Sequence, residues 1–350
     1  MTTDSRASVS DDVAAVPATR SARRSWLLRR ELHLVAFIAL FIVLVTLVAP
    51  DFASVTNFKQ IIENMALESI VMAAMVLLLA AGRFDLSVDG VAAVSAIVGG
   101  ILIARVGVSP LVAVVVALLI GAGIGLINGL LIERLGLNPL MTTLATWWIT
   151  TGAALGLTGG IAPSGFPDSF LALGQTRFLG LLATTWYAIA IVPVLAIVLW
   201  LTKFGYHVKA TGGDRDSARL NAVRVAGIGL ILFTITGLAS AFAGVMFSAR
   251  LGSASPVALD GMALNVIAAA VIGGASLYGG RGSVLGGLLG LFLLNMINSA
   301  SIYVGVSPFW QRAISGVILL VAILADVLSE DSRLRMPRPW RRRTRTAPPS

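Results

Sequence analysis

Apolar segments long enough to cross a bilayer follow one another along most of this 350-residue chain, and few folds are compatible with that pattern. A helix rises about 1.5 Å per residue, so a ~30 Å hydrocarbon core takes roughly 20 residues. Runs that meet or approach this length are predicted at about 33–50, 67–82, 88–104, 109–132, 140–158, 180–202, 226–249, 263–277, 284–302 and 309–328. Residues 51–66 are amphipathic enough to lie at the interface, and 159–179 and 250–262 are expected to be loops. The chain is 57% hydrophobic and 12% charged, with a mean hydropathy of +0.90, whereas soluble domains carry about 25% charged residues. The expected fold is therefore all-α: a polytopic integral membrane helical bundle of about ten transmembrane helices. The runs are continuous rather than alternating over about ten residues, which excludes a β-barrel.

An even number of spans puts both termini on one side, and the charges say which. With the N-terminus in the cytoplasm, 21 of the 26 Lys and Arg residues fall on the inner side, as the positive-inside rule requires. Six of them are the arginines of residues 1–33, and five lie in an insert at 203–224. A secretory signal is the rival reading of the N-terminus. It is the weaker one, because the first run ends in Leu47-Val48-Ala49-Pro50, without a small-x-small cleavage pattern. The expected organisation is a cytoplasmic basic tail (1–33), a transmembrane domain (34–328) and a second cytoplasmic basic tail (329–350). The net charge of +9 is then a topology signal, and no nucleic-acid partner is expected. With no cysteine and only His33 and His207, disulfides and thiolate metal sites are excluded. No metal and no cofactor is expected.

The polar residues form no enzyme constellation. The acids inside or beside spans are Glu63, Glu68, Asp85, Asp89 and Glu133, and no pair of them shares a helix with a histidine. The glycine-rich turn at 279–287 lacks the Gly-Lys-Ser/Thr ending of a phosphate cradle. It reads as a tight turn whose glycines let the next helix pack closely. No catalytic residue is expected, and any ATP hydrolysis belongs elsewhere. The stretch Gly82-Arg83-Phe84-Asp85-Leu86-Ser87-Val88-Asp89-Gly90 has two readings. It is either a solvated cytoplasmic turn with Asp85 or Ser87 capping the next helix, or a discontinuous helix lining a path through the membrane. On the second reading Phe84, Asp85, Ser87 and Asn128 are candidates for the pathway wall or its support. The insert at 203–224 is the one large charged loop. Within it Asp214 is placed to cap a short helix running to about Asn221, after a sharp approach at Gly212-Gly213.

Four stretches resemble the permease subunits of bacterial ATP-binding-cassette importers of the ribose/xylose/monosaccharide type. Residues 82–89 are similar to the family's Gly-Gly-Ile-Asp-Leu-Ser-Val-Gly signature, departing from it at Arg83, Phe84 and Asp89. Gly125-Leu126-Ile127-Asn128-Gly129 with Asn138-Pro139-Leu140-Met141-Thr142-Thr143-Leu144 resembles the next block. Residues 204–220 resemble the loop that contacts the ATPase, and 273–284 with 305–311 supply the fourth stretch. The resemblance covers about 35–328. It implies a multi-pass protein of the bacterial inner membrane that passes a small polar solute, a monosaccharide or related polyol, inward by alternating access. The implied partners are a second permease subunit in a homo- or heterodimer, a cytoplasmic ATPase, an extracytoplasmic solute-binding protein and the surrounding lipids. It also implies that Gly212, Gly213, Asp214, Ser217, Ala218 and Arg219 couple the loop to the ATPase. The alternative is a secondary transporter or channel without an ATPase.

Overall fold

The computed structural model describes residues 20–307 apart from residue 258, together with residues 310, 313, 316, 317 and 320. Helices dominate the described residues. In chain order α1 (Arg20–Val48) is followed by a short 3-10 turn, Pro50–Ala53, and by α2 (Val55–Ala80), α3 (Val88–Ala104), α4 (Pro110–Glu133) and α5 (Pro139–Thr158). A short α6 (Asp168–Gln175) leads into the strands β1 (Arg177–Phe178) and β2 (Leu181–Leu182), which form an antiparallel hairpin. Then come α7 (Ala183–Leu201), α8 (Lys203–Gly213), α9 (Arg215–Leu220), α10 (Val225–Leu251), α11 (Met262–Ile272) and α12 (Val284–Tyr303). The chain is thus an all-α polytopic membrane bundle. Six of the described helices are long and apolar enough to cross a membrane, and α3 and α11 are shorter apolar helices. The tenth expected span, 309–328, and both tails lie largely outside the described residues.

Local chemistry sets the helix ends. Ser54 caps α2, its hydroxyl accepting from the Asn57 amide, and Asn138 caps α5 through the amides of Leu140 and Met141. Pro110 and Pro139 open α4 and α5, where a missing N–H costs nothing. Gly159 and Gly252 close α5 and α10 in the left-handed conformation that glycine adopts without penalty.

Helix α2 is the centre of the bundle. From Leu67 to Ala81 nearly every residue is buried, which is how a helix apolar all round must sit. It packs on α7, α10, α12 and α11. One expectation is corrected here: 51–66 does not lie at an interface as a separate segment, because α2 runs unbroken from Val55. Two of the polar residues in its first half have partners within the protein. Glu63 accepts from Arg177 at 2.8 Å and from the Leu182 amide at 3.2 Å, and Asn64 accepts from Arg250 at 2.8 Å.

The most extensive helix pair is α4 with α10. Gly121, Gly125 and Gly129 form a stripe on α4, and Gly237 faces it from α10. A Cβ on Gly237 would run into the Gly121 carbonyl and lie 3.0 Å from Gly125 Cα. Close backbone approach of this kind is what drives helix association where lipid removes the hydrophobic incentive. The turn before α12 behaves as its glycines predict, since Gly286 and Gly290 press against the backbone of Gly273 and Ala269.

Two ends can be told apart by what they hold. One carries the C-terminal ends of α2 and α4, the α8–α9 loop and the turn between α11 and α12, where Gly280 N–H donates to the Ala80 carbonyl. The other carries the start of α2, the β-hairpin, α6 and the end of α10, joined through Glu63, Arg177 and Arg250.

Candidate functional site

The chain is broken as a helix at two places that meet inside the bundle. After α2 it passes Gly82, which takes a left-handed φ of +72°, and continues as a non-helical segment to α3. This segment is not a solvated turn: Arg83, Asp85 and Ser87 are all buried. Irregular backbone at membrane depth is tolerated only where protein or a polar cavity satisfies it, and here side chains do so. Asp85 Oδ1 accepts from the Ser87 amide at 2.8 Å and from the Ser87 hydroxyl at 2.6 Å. The Asn128 amide on α4 donates to Ser87 Oγ at 3.0 Å, and the Thr146 hydroxyl on α5 donates to Asn128 Oδ1 at 2.6 Å. Three of the four pathway candidates, Asp85, Ser87 and Asn128, therefore form one hydrogen-bonded chain. The fourth, Phe84, is half-buried against the apolar core beside them.

The second break precedes α11, whose 11 residues span only about 16 Å. Its first turn is held by α3. Asp89 accepts from the Gly261 amide at 2.9 Å and the Ala263 amide at 2.6 Å, which satisfies donors that a helix start leaves unpaired. Asp89 lies about 22 Å of helix away from the other end of α3 at Ala104. Two helix starts thus converge on one carboxylate within the bundle. Gly90 permits the approach of α5, because a Cβ there would lie 2.9 Å from the Trp147 carbonyl. One turn along α3, Ala92, Ala93 and Ala96 line a shallow pocket with Phe247 and Ser248 of α10 and Ser253 of the loop. Nearby, Ser95 Oγ and Trp147 Nε1 are buried with no hydrogen-bond partner.

The charged insert contains two helices where the sequence suggested one. The short helix at Asp214 is there: the carboxylate accepts from the amides of Asp216 at 3.0 Å and Ser217 at 3.1 Å, and from the Ser217 hydroxyl at 2.7 Å. The Ser217 donors hold the exposed Asp214 carboxyl below the usual range. Helix α8 was not expected, because its sequence, rich in glycine, reads as loop. Its glycines serve packing instead, since a Cβ on Gly205 would strike the carbonyls of Val198 and Leu199. The family resemblance implies six coupling residues in this loop. Gly213, Asp214, Ser217 and Arg219 are exposed. Ala218 is 4% exposed and faces the bundle, because α9 packs by that side on α8 and α10. Gly212 is also turned inward, against the Ala80 carbonyl and Gly280. Two apolar residues missed by the sequence reading stand out from the loop, Leu220 at 88% and Tyr206 at 70% exposure.

Among the described residues no three His, Cys, Asp or Glu side chains come together to hold a metal ion. What the geometry provides is a polytopic bundle with two opposed helix breaks lined by neutral and acidic hydrogen-bonding groups, the layout of a membrane permease. Residues 57–323 match the family described as branched-chain amino acid transport system / permease component, and the chain belongs to that family. It is 34% identical over 295 residues to the ribose import permease protein RbsC of Bacillus subtilis, covering 83% of this chain and 91% of that protein. It is 36% identical over 293 residues to the L-arabinose transport system permease protein AraH of Escherichia coli, covering 84% and 89%. The L-arabinose ABC transporter permease protein AraH of Azospirillum brasilense is 34% identical, over 95% of this chain and 97% of its own length. No solved structure matches the chain.

Proposed function

We propose that this permease carries a pentose or a closely related monosaccharide inward across the bacterial inner membrane, driven by ATP hydrolysed on a separate subunit. The family description names amino acids, but the relatives that align along almost their whole length are named for ribose and L-arabinose. The observation that carries the reading is the meeting of the two breaks at Asp89, two residues along the chain from the hydrogen-bonded chain of Asp85, Ser87, Asn128 and Thr146. Hydroxyl, amide and carboxylate groups there can exchange their present bonds for those of a polyhydroxylated solute. Alternating access would open this cluster to one end and then the other. The exposed face of α8 and α9, with Asp214, Ser217, Arg219, Leu220 and Tyr206, would receive the ATPase. That face and both tails would lie in the cytoplasm, a reading that the charge distribution of the sequence supports, with a tenth span proposed at 309–328. A second permease subunit and an extracytoplasmic binding protein complete the assembly.

The test is uptake into proteoliposomes carrying the permease, its ATPase and its binding protein. Labelled ribose or L-arabinose should accumulate only with ATP and all three components. Equal uptake without ATPase or ATP would replace this reading with a secondary transporter or channel.

A further inference from the structure

One buried carboxylate at the loop end of the bundle is held by two cations from different elements. Glu133 closes α4, and its side chain has no exposure. Arg83, at the start of the non-helical segment, donates from Nε to Glu133 Oε1 at 2.5 Å and from Nη2 to Oε2 at 3.3 Å. Its Nη1 reaches the carbonyls of Ala81 and Gly82 at 3.4 and 3.3 Å. Arg215, the first residue of α9, donates from Nη2 to the same Glu133 Oε2, while its buried Nε has no partner. Beside this triad three backbones touch with no side chain between them. A Cβ on Gly279 would lie 2.9 Å from both Gly212 Cα and Gly82 Cα.

We propose that Glu133 is a positioning residue that makes the α8–α9 loop and the segment 82–87 move as one body. Displacement of α9 would then be delivered to the Asp85–Ser87–Asn128 chain instead of being lost as sliding between the two. This rests on reading α8–α9 as the face that receives an ATPase. The shared Glu133 carboxylate is shielded from water although Arg215 is partly exposed, and charge-assisted bonds to it are strong and directional, so a shift of Arg215 changes how Glu133 holds Arg83. Arg83 lies two residues before Asp85. Asn128 sits on the same helix as Glu133, about one and a half turns earlier. The triad therefore reaches the polar chain from both of its sides, through the segment and through α4. Arg83 stands where the signature resembled by 82–89 carries glycine, so the tie belongs to this chain.

Two measurements on Glu133→Gln and Arg215→Gln test the proposal. In proteoliposomes with the complete complex, ATP hydrolysis should continue while sugar taken up per ATP falls about three- to thirty-fold; Arg215→Lys should recover most of the loss. A role confined to holding the fold would lower uptake and hydrolysis together. In the full-length permease alone, amide exchange should quicken in 82–87 and in 214–222 together. Arg215→Gln lies on the partly exposed side of the triad and leaves the packing of α4 untouched, so it reports even where Glu133→Gln folds poorly. An unchanged sugar-to-ATP ratio in Arg215→Gln, or exchange that changes in only one of the two segments, overturns the tie. Failure of the unaltered complex to show ATP-dependent uptake would overturn the importer reading instead, and the exchange measurement would still decide on the tie.

Discussion

The α4–α10 seam and the α3–α11 junction are both buried helix contacts, yet they are built on opposite principles. At the seam, backbones touch across Gly121, Gly125 and Gly237, and the polar side chains nearby are spent on their own helix: Thr234, Thr236 and Ser240 each donate to the carbonyl four residues back. Around these glycines no side-chain hydrogen bond joins α4 to α10 among the described residues; the one carboxylate at this contact, Glu133, lies against Gly229 at its far end. At the junction the bonds cross between elements, from α11 to Asp89 and from α4 to Ser87. Packing contacts of the first kind have one good arrangement and lose energy in any other. Hydrogen bonds of the second kind can trade one partner for another. The seam is therefore suited to be a frame, and the junction to be the part that rearranges around a solute.

The seam should give the largest effect when broken. Gly237→Leu forces a side chain into the Gly121 carbonyl, and overpacking of this sort costs about 1–3 kcal/mol or more. In purified protein we expect a fall in Tm of about 5 °C or more, or loss of folded material altogether. Gly123→Leu is the matched control, since a Cβ there meets nothing within 4 Å, and it should leave Tm unchanged. Leucine is a better helix former than glycine, so equal destabilisation by the two substitutions would mean that a bulky side chain is unfavourable anywhere on these helices and that the close approach at Gly237 is not special.

The two regions also differ in how far the sequence reveals them. The seam is written in spacing, as Gly121, Gly125 and Gly129 recur every four residues on one helix. Helix positions follow from run length, and the Asp214 cap follows from residue type, because each depends on neighbours in the chain. The junction depends on distant partners. Asp89 is visible only as an acid near a span, and its bonds run to Gly261 and Ala263 in another part of the chain. A repeated Asp-Gly pair, Asp89-Gly90 and Asp260-Gly261, each opening a short apolar helix, is the one sequence signal that points to it. Glu133 gives no such signal, since Arg83 and Arg215 lie far from it in sequence. The run of α2 through 55–66 was hidden for the same reason. Glu63 and Asn64 look interfacial until Arg177 and Arg250 are seen to pair with them.

Asp89→Ala tests the junction, with a smaller effect on stability and a larger one on transport. It leaves the Gly261 and Ala263 amides without acceptors, about 1–3 kcal/mol for each, offset in part because a carboxylate no longer has to be buried, and the loss is confined to the start of α11. ATP-dependent sugar uptake should fall by at least ten-fold, while Tm moves less than in Gly237→Leu. Asp89→Asn keeps an oxygen for one of the two amides and should fall between Asp89→Ala and the unaltered protein. If Asp89→Ala lowers Tm as much as the seam variant and uptake only in proportion, the junction is frame as well, and the contrast between the two regions fails.

The loop helix α9 belongs to neither class, and its cap should give the smallest effect of the three. Asp214 is exposed and bonds only to its own helix start, so its loss leaves the bundle as it was. Amide exchange across 215–220 should quicken in Asp214→Ala with no change in Tm. The sign of the pH dependence follows from the Asp214 carboxyl, whose pKa is lowered by the Ser217 hydroxyl and amide. A depressed carboxyl contributes fully above its unfolded value near 4 and loses its contribution as pH falls through the lower folded value. Exchange of α9, corrected for its intrinsic pH dependence, should therefore be flat between pH 7 and 5. Below about pH 4 it should approach that of Asp214→Ala. Asp214→Asn keeps the capping oxygen without the charge, so its α9 should stay protected at acid pH. Protection that fades already between pH 7 and 5 would mean that the Asp214 carboxylate does not hold the start of α9, and the helix would then owe its order to its packing on α8 and α10.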